Sequence, residues 1–432
     1  MKNSWLVLLV SIIAAPALAQ QTLSLPDAIN IALKNSLDIQ LQKNNVLIAV
    51  TNNNIGIAGG LPVVTGSASD NESVTSIRQT RNTGEKIDGN NATGNSAGAG
   101  VTGSMLLYNG GRVIATKKRL AQLQLQSEDV LNSQVQNTMA SVMTAYFDVV
   151  RQQGYVKTID LSIEVAQKKL DIIKARQDVG LANNADLFQA QVDLNNLVQT
   201  RESQLLTIKQ AHTELLRLLT LKPDSIIEVR DTIVVDTTLT LDMAMNSLHK
   251  NFDIMAAEEQ IKINSLIVNE TAAQRYPTVR ASGGYSYNRT QSQVGNLTLN
   301  QSYGPFIGVT VGVPIYNGSV YKRQQKVAEI NTTIASIQRD MLLRDYSANI
   351  VKSYNVYLLN LRQLDTQKKN YALSQQLLDL VLQRFQLRQA TIVDLAQAQQ
   401  SLITAGYSVI NLSFAAKASE IELKRVANQL KM

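Results

Sequence analysis

Two hydrophobic patterns alternate along the chain. From Gly111 to Val179 and from Ser319 to Leu387, apolar residues recur at three- and four-residue spacing, as in Val142, Ala145, Tyr146, Val149 and Val150. That period predicts helix. The seven prolines stand at 16, 26, 62, 223, 277, 305 and 314, so none interrupts either stretch. Proline in a helix interior costs about 3 kcal/mol; its absence permits helices of about 65 residues, which at 1.5 Å per residue would be about 100 Å long. Each is expected to break at a short polar turn and return as an antiparallel coiled coil. Gly180–Asn184 leads back through Asp186 to Leu221, and Arg388–Thr391 leads back through Asp394 to about Gln429. Many Gln and Asn residues replace the usual charged surface of these helices. Solvated faces explain most of them, and a water-filled lumen lined by neutral polar groups would look the same.

The second pattern has a period of two. Ile307, Val309, Val311, Val313 and Ile315 alternate with Gly308, Thr310, Gly312 and Pro314. Residues 278–288 place Val279, Ala281, Gly283, Tyr285 and Tyr287 on one face, and residues 96–108 do the same with Ala97, Ala99, Val101, Gly103, Met105 and Leu107. Residues 63–70 form a weaker fourth strand. Each is near the ~9–11 residues of a tilted membrane strand. Alone, any of them also suits a soluble sandwich. Their pairing is more telling, because each pair brackets a polar segment rich in Gly, Asn, Ser and Thr. The first, Asn71–Asn95, is expected to be a long mobile loop and the second, Arg289–Ser302, a shorter one.

Export changes the picture further. Lys2, an apolar run from Trp5 to Ala15, and Ala17-Leu18-Ala19 read as a signal peptide over residues 1–19. Its removal takes away one charge and lowers the formal net charge from +7 to +6, modest for 432 residues. No dense Lys/Arg block suggests nucleic acid. The chain has no cysteine, which excludes disulfides, thiolate chemistry and a lipidated N-terminal Cys. Beyond the signal, no stretch approaches the ~20 apolar residues of a membrane helix; an exported chain can still cross a membrane as a closed β-barrel.

An internal repeat organises these elements. Leu23-Ser24-Leu25-Pro26-Asp27-Ala28-Ile29-Asn30 returns as Leu239-Thr240-Leu241-Asp242-Met243-Ala244-Met245-Asn246, and Lys34-Asn35 as Lys250-Asn251. Pro62 matches Pro277, and the strand-to-helix segments Leu107-Tyr108-Asn109-Gly110 and Ile315-Tyr316-Asn317-Gly318 match each other. Tyr146 matches Tyr354, Arg176 matches Arg384, and Asp186-Leu187 with Gln189-Ala190-Gln191 matches Asp394-Leu395 with Gln397-Ala398-Gln399, all at an offset of 208 residues. The domain reading is a first repeat over 20–221 (a helix, strands about 63–70 and 96–108, and the hairpin 111–221). A linker follows over 222–238. The second repeat covers 239–432, with a helix, strands about 278–288 and 303–315, and the hairpin 319–430. Each repeat supplies two strands, so the chain has four where a membrane barrel needs at least eight. Open strand edges cannot face lipid, so the chain must oligomerise.

In these motifs the sequence resembles the TolC family of outer-membrane efflux proteins over essentially the whole mature chain. The resemblance rests on the opening Leu-x-Leu-x-x-Ala helix, the turns at Tyr108-Asn109-Gly110 and Tyr316-Asn317-Gly318, and the motifs Val179-Gly180-Leu181…Asp186-Leu187 and Asp394-Leu395. It implies a membrane α+β fold: a homotrimer whose 12-stranded outer-membrane β-barrel, four strands per protomer, continues into a periplasmic α-helical tunnel. The linker, with Ile226-Ile227 and Ile233-Val234-Val235, would join a belt around that tunnel. The implied role is the exit duct of a tripartite efflux pump or type I secretion system. Its implied partners are a periplasmic adaptor (membrane fusion protein), an inner-membrane transporter and outer-membrane lipid. In the family the periplasmic hairpin ends form a gate narrowed by acidic residues, and Asp186 and Asp394 fall on those positions. Like charges crowded around a threefold axis would repel one another and attract cations; helix capping explains the same aspartates. Ala390 stands where some members carry an Arg that tethers the closed gate, Gln397 where a second Asp can occur, and Arg388 where the other hairpin has Gly180. The tips Gly180, Leu181, Arg388 and Gln389 are candidate adaptor contacts.

No catalytic constellation accompanies these features, and no cofactor or metal is expected. His212 and His249 lie in separate helical segments without a second His or a carboxylate at metal-binding spacing. The glycines of Gly98–Gly103 lack the Lys-Ser/Thr of a phosphate loop. The competing function is a periplasmic coiled-coil scaffold or adaptor with no pore, which accounts for the helices but not for the paired alternating strands.

Overall fold

The computed structural model describes residues 23–294 and 297–430. The expected signal peptide, residues 1–19, lies outside them. In chain order the elements are α1 (Leu25–Asn35), α2 (Leu37–Asn52), β1 (Val63–Thr80), β2 (Lys86–Tyr108), α3 (Arg112–Asp178), α4 (Asn184–Leu218), α5 (Leu241–Asn246), α6 (Phe252–Ala273), β3 (Thr278–Ser292), β4 (Leu299–Gly312), α7 (Val320–Gln386) and α8 (Ile392–Val426). Helices α3 and α7 each have 67 residues, and α4 and α8 each have 35. No described helix is long and apolar enough to cross a membrane.

The chain resolves into two compact units. One comprises Gln42–Asn132 and Phe252–Arg344; the other comprises the chain up to Leu41, Ser133–Asn251, and Asp345 onwards.

The first unit holds a single antiparallel sheet in the order β1-β2-β3-β4. Its strands outrun the segments that apolar alternation marks. Thr80 pairs with Lys86, and the ladder runs from there down to Val63 opposite Ser104. The segment Asn71–Asn95, expected as a mobile loop, is therefore mostly strand. Its turn is short: Gly84 N–H donates to Arg81 O at 2.8 Å, with Gly84 at φ +83, and Arg81 forms an ion pair with Glu85 at 2.6 Å. The segment Arg289–Ser302 is likewise shortened, since β3 runs to Ser292 and β4 starts at Leu299. Alternation fails in these extensions because neither face meets an apolar phase, while backbone pairing continues regardless. At the other end β4 stops at Gly312, short of the expected Ile315. Pro314, which has no N–H to donate, follows the last pair, Thr278 with Gly312.

The second unit has its core where α1 packs on α3, α4, α8 and the segment 222–238. Ala28, Ile29, Val142, Tyr146, Val149, Leu215, Leu219, Val229 and Ile421 are all buried there. Each large side chain so buried contributes about 1.5–3 kcal/mol. Two phenols tie the segment 222–238 to the long helices. The Tyr146 hydroxyl reaches Leu23 O at 2.9 Å and the Asp231 carboxylate, and burial followed by that carboxylate pushes its pKa above the ordinary range. In α7 the corresponding bond, to Asp236 O, comes from Tyr357. Burial, then the charges of Glu420 and Asp236, push the Tyr357 pKa up to about 12, so the phenol stays a donor at neutral pH. Sequence matching pairs Tyr146 with Tyr354, but the buried hydroxyl lies one helical turn on. Close by, Glu420 is 2% exposed and fully engaged, accepting from Lys417 and Lys424 Nζ and from Asp236 N–H, each at 2.9 Å. Such a buried carboxylate persists only when its charge is paired and hydrogen-bonded.

Tyr357→Phe leaves Asp236 O without its donor and is expected to lower stability by about 1–2 kcal/mol. Tyr354→Phe should stay within about 0.5 kcal/mol of the parent. Chemical unfolding of the detergent-solubilised protein compares them, and equal losses would reject the assignment.

Candidate functional site

The sheet has two chemically distinct faces. Register places Val64, Gly66 and Ala68 of β1 beside Gly103, Val101 and Ala99 of β2, then Gly283, Tyr285 and Tyr287 of β3, then Ile307, Pro305 and Tyr303 of β4. The same face continues through Met105, Ala281 and Val309 to Val279 and Val311, and the register shift between Leu106 and Tyr108 brings Tyr108 opposite Val279. The opposite face carries mostly Ser, Thr and Gly, including Thr65, Ser67, Thr102, Ser104, Ser282, Ser286 and Thr310. Tyr287 and Tyr303 bound the apolar face at one end and Tyr108 at the other. The nine residues from Val279 to Tyr287 span about 26 Å at ~3.3 Å per residue. That is the ~9–11-residue length of a tilted membrane strand, with aromatic residues at both rims. Gly284 is needed for close packing within the sheet, since a Cβ there would lie 2.1 Å from Val101 O. Strands β1 and β4 are the open edges.

Below the sheet, each strand-to-helix turn reverses on left-handed residues. Gly110 and Gly111 have φ +70 and +79, and Gly318 and Ser319 have +65 and +64. Asn109 O accepts Arg112 N–H at 3.3 Å, and Asn317 O accepts Val320 N–H at 3.3 Å. Tyr108 and Tyr316 are both exposed, at 48% and 84%.

The hairpin ends belong to the second unit and are built on a shared apolar cluster that includes Ile173, Ala190, Leu378, Phe385, Leu395 and Leu402. Both long helices stop in the same way. Leu181 N–H donates to Arg176 O at 2.7 Å and Gly180 N–H to Gln177 O at 2.8 Å; Gln389 N–H donates to Arg384 O at 2.8 Å and Arg388 N–H to Phe385 O at 3.2 Å. These are two Schellman ends. Their left-handed positions are Gly180 at φ +77 and Arg388 at φ +61. The glycine adopts that conformation freely, whereas a side-chain-bearing residue there is disfavoured by roughly 1–2 kcal/mol. The turns expose Val179, Leu181, Leu387 and Val393 to 67%, 52%, 68% and 75%.

The two aspartates take equivalent places in the returning helices. The N-caps themselves are Asn183 and Thr391; Asp186 and Asp394 stand three residues further on, in the first turn. Asp186 N–H donates to Asn183 Oδ1 at 2.7 Å. The Asp394 carboxylate accepts the Thr391 N–H and hydroxyl, both at 2.8 Å, and those bonds hold its pKa below the usual carboxylate range. Gln397 is exposed and Ala390 half-buried against the apolar cluster.

Sequence reasoning does not find a contact that joins the two hairpins near their ends. The Arg176 guanidinium of α3 lies 4.4 Å from the centre of the Phe385 ring of α7 and donates to Phe385 O. Its repeat counterpart Arg384 instead donates to Gln389 O in its own turn, at 3.3 Å. The repeat singles out the two arginines, but nothing in their spacing distinguishes the clasp from the local bond. A second hidden pair is Lys169, 1% exposed, with Asp193 at 2.6 Å between α3 and α4. Among the described residues no group of His, Cys, Asp and Glu could hold a metal. His212 has its pKa lowered by burial and Nε2 unbonded, and it lies apart from these sites.

The outer membrane efflux protein family matches this chain twice, over residues 28–221 and 244–429. The chain belongs to that family. It is 23% identical over 304 residues to the outer membrane protein TolC of Vibrio cholerae, covering 68% of each chain. It is 21% identical over 355 residues to TolC of Escherichia coli, covering 79% of this chain and 71% of that one. Among solved structures, VceC of Vibrio cholerae superposes with a TM-score of 0.76 at 19% identity, covering 93% of this chain and 95% of that one. The CmeC channel of Campylobacter jejuni also gives 0.76, at 18% identity, covering 97% and 92%. The protein is therefore an efflux channel of the outer membrane that spans the periplasm. The family is one of ducts, not enzymes.

Two expectations follow from the hairpin ends. Arg388→Gly should stabilise that end by about 1 kcal/mol and Gly180→Ala should destabilise the other by a similar amount, read by thermal unfolding; a loss in Arg388→Gly would contradict the strain. Arg176→Ala removes a cation–π contact and a charged hydrogen bond together worth about 2 kcal/mol. Amide exchange over residues 384–391 should then rise about thirty-fold, and unchanged exchange would show that the clasp carries no energy.

Proposed function

We propose that this efflux channel is a homotrimeric exit duct of a tripartite pump or a type I secretion system. Three copies of the four-stranded sheet would close a 12-stranded barrel continuous with a tunnel of helical hairpins. The observation that carries this reading is the sheet itself: antiparallel throughout, apolar on one face between tyrosine rims, small and polar on the other, and open at both edges. A scaffold without a pore has no use for such a sheet. The repeated order of helices, strands and hairpin, together with the two family matches, supports an internal duplication. Its repeats are residues 20–221 and 239–432, joined by an equatorial linker at 222–238 and preceded by a signal peptide at 1–19.

The hairpin ends are the proposed periplasmic entrance. Gly180, Leu181, Arg388 and Gln389, beside the exposed Val179, Leu387 and Val393, present an apolar and backbone-rich surface suited to an adaptor, which would in turn connect the duct to an inner-membrane transporter. Asp186 and Asp394 are the proposed acidic ring. The Thr391 bonds that lower the Asp394 pKa keep that carboxylate ionised at neutral pH, so three copies around one axis would form a standing cation site. Ala390 and Gln397 add no charge at the positions flanking Asp394. The lumen would be passive, and its neutral polar lining is compatible with drugs, other small molecules or unfolded protein.

Reconstitution in planar bilayers tests the reading. The purified protein should run as a trimer and conduct, and a conductance-free monomer would overturn it. Asp394→Asn should raise the half-blocking concentration of a multivalent cation by about tenfold, equivalent to about 1.4 kcal/mol. If block and selectivity are unaltered in both Asp394→Asn and Asp186→Asn, the aspartates do not ring the entrance.

A further inference from the structure

Acidic residues are missing from the whole region where the sheet meets the helices. No Asp or Glu occurs in residues 39–69, 89–127 or 271–328. These stretches hold the strand ends nearest the helices and the first turns of α3 and α7. Three of their cations find partners: Arg119 meets Glu270 at 2.7 Å, Lys326 meets Glu329 at 3.3 Å, and Lys117 reaches Asn53 Oδ1. Arg112, Lys118, Arg275, Lys322 and Arg323 are exposed, and none has an ion pair or side-chain hydrogen bond among the described residues.

These five lie in one unit, just beyond the apolar face of the sheet. Arg112 follows Tyr108 by four positions, and Arg275 precedes Val279, the residue opposite Tyr108, by four. The Gly110 turn sits on the end of α6, since a Cβ there would lie 2.7 Å from Tyr276 Cβ. Arg112 and Arg275 therefore flank one turn. At 1.5 Å per residue, Lys322 and Arg323 stand about 3–5 Å down α7, and Lys118 about 9 Å down α3. A headgroup layer is about 5–8 Å deep on each side of the hydrocarbon, within reach of long cationic side chains. Tyr108, Tyr276 and Tyr316, exposed to 48%, 52% and 84%, stand among them. Such rings favour the boundary between lipid and water.

The charges also oppose local preference. Every other described α-helix has an Asp in its first turn: Asp27, Asp38, Asp186, Asp242, Asp253 and Asp394. Helices α3 and α7 have none, and begin instead with Arg112 and with Lys322 and Arg323. A cation at the positive end of a helix is unfavourable, and an anion beside it would reverse that. The departure occurs in both halves, although only Lys118 and Lys326 correspond at the 208-residue offset. The halves thus share a sign of charge and not a particular contact. The far end of the apolar face differs. Beyond Tyr287 and Tyr303 it carries Asp70 and Glu72, both bonded by Asn95 Nδ2 at 2.6 and 2.7 Å, as well as Arg289. The surplus of cations belongs to the helical end alone.

We propose that this belt binds the headgroup phosphates of anionic glycerophospholipids in the periplasmic leaflet of the outer membrane. The inference rests on the barrel proposed above, whose apolar face meets lipid, and names the lipid class and the residues that hold it. A lipid is the occupant because the cations continue the apolar face and are interleaved with tyrosines, a rim that a soluble anion would not need. Arg280 supplies the contrast. It too is exposed and has no described partner, but it stands opposite Thr310 on the Ser- and Thr-rich face.

Native mass spectrometry of the intact protein in detergent, titrated with phosphatidylglycerol or phosphatidylcholine, tests the belt. Phosphatidylglycerol should bind at least about tenfold more tightly, and less so as salt rises. Arg112→Gln, Arg275→Gln and Arg323→Gln should each weaken it about fivefold, equivalent to about 1 kcal/mol, and leave phosphatidylcholine unchanged. Arg280→Gln should bind both lipids as the parent does. Equal affinity of the parent for the two lipids overturns the belt, and so does parental phosphatidylglycerol binding in the triple variant. Where the triple variant does not assemble, the three single variants decide. If the substitutions shift the zero-current potential in bilayers but leave lipid binding alone, the cations line the lumen; the belt is then overturned and the duct stands. If the parent neither forms an oligomer nor conducts, the duct reading fails and the belt with it.

Discussion

A backbone amide or carbonyl left unpaired in hydrocarbon costs several kcal/mol, and this sheet exposes a full row of them at each edge. The remaining architecture can be understood as an answer to that cost. Four strands cannot curl into a barrel of their own, and in the proposed duct the edges are satisfied by further copies of the chain. An even number of strands, each reversing the last, presents β1 and β4 in opposite directions. Identical copies can then continue the antiparallel ladder without a misfit. The face pattern obeys the same solvent: apolar side chains and tyrosines where lipid would lie, and Ser, Thr and Gly where water would. Beyond Tyr287 and Tyr303 the ladder continues although the alternation ceases, because backbone pairing remains favourable after the reason for an apolar face has gone.

The helices inherit their arrangement from the strands. Each strand hands over to, or receives, one helix through a short connection, so the lateral order of the sheet becomes the lateral order of the helical row. The ions buried in the structure are held to the same standard as the backbone. Glu420 has two ammonium groups and an amide, and Lys169 has Asp193; neither is left with an unpaired buried charge.

The sequence revealed the helices and their turns most clearly, because proline placement and a sustained 3.6 period are local properties. It revealed the strands only where they alternate. The Gly-, Asn- and Ser-rich extensions of β1 and β2 read as loop because their pairing depends on partners up to 25 residues away or in the other half of the chain, not on their own composition. Repeat matching places the two aspartates at equivalent points of the returning helices, but Asn183 and Thr391 are the caps, and each aspartate occupies the first turn behind one. Repeat matching led from Tyr146 to Tyr354 where packing selects Tyr357, since a one-turn displacement leaves the helical face almost unchanged and sequence offset cannot detect it. The Arg176 clasp was invisible for a related reason: two arginines at equivalent positions differ only in which neighbour each can reach.

That difference has a structural consequence. If both hairpins were identical, any force on one would act equally on the other, and the proposed entrance could only dilate as a whole. Here the ends diverge at each level. Gly180 rests in a conformation natural to glycine, while Arg388 is held in the same conformation against its preference. Arg176 reaches from the first hairpin onto the second, while Arg384 bonds only within its own turn. The second hairpin is therefore both the more strained at its turn and the one held by its neighbour. Strain at a turn is relieved by movement of that turn, and the clasp on Phe385 is the contact such movement must break. The energies are comparable, about 1–2 kcal/mol for the left-handed arginine and about 2 kcal/mol for the clasp. Both terms are small beside the burial of Phe385, Leu395 and Leu402 beneath the turn, so the asymmetry lies at the turn itself and not in the cluster that supports it.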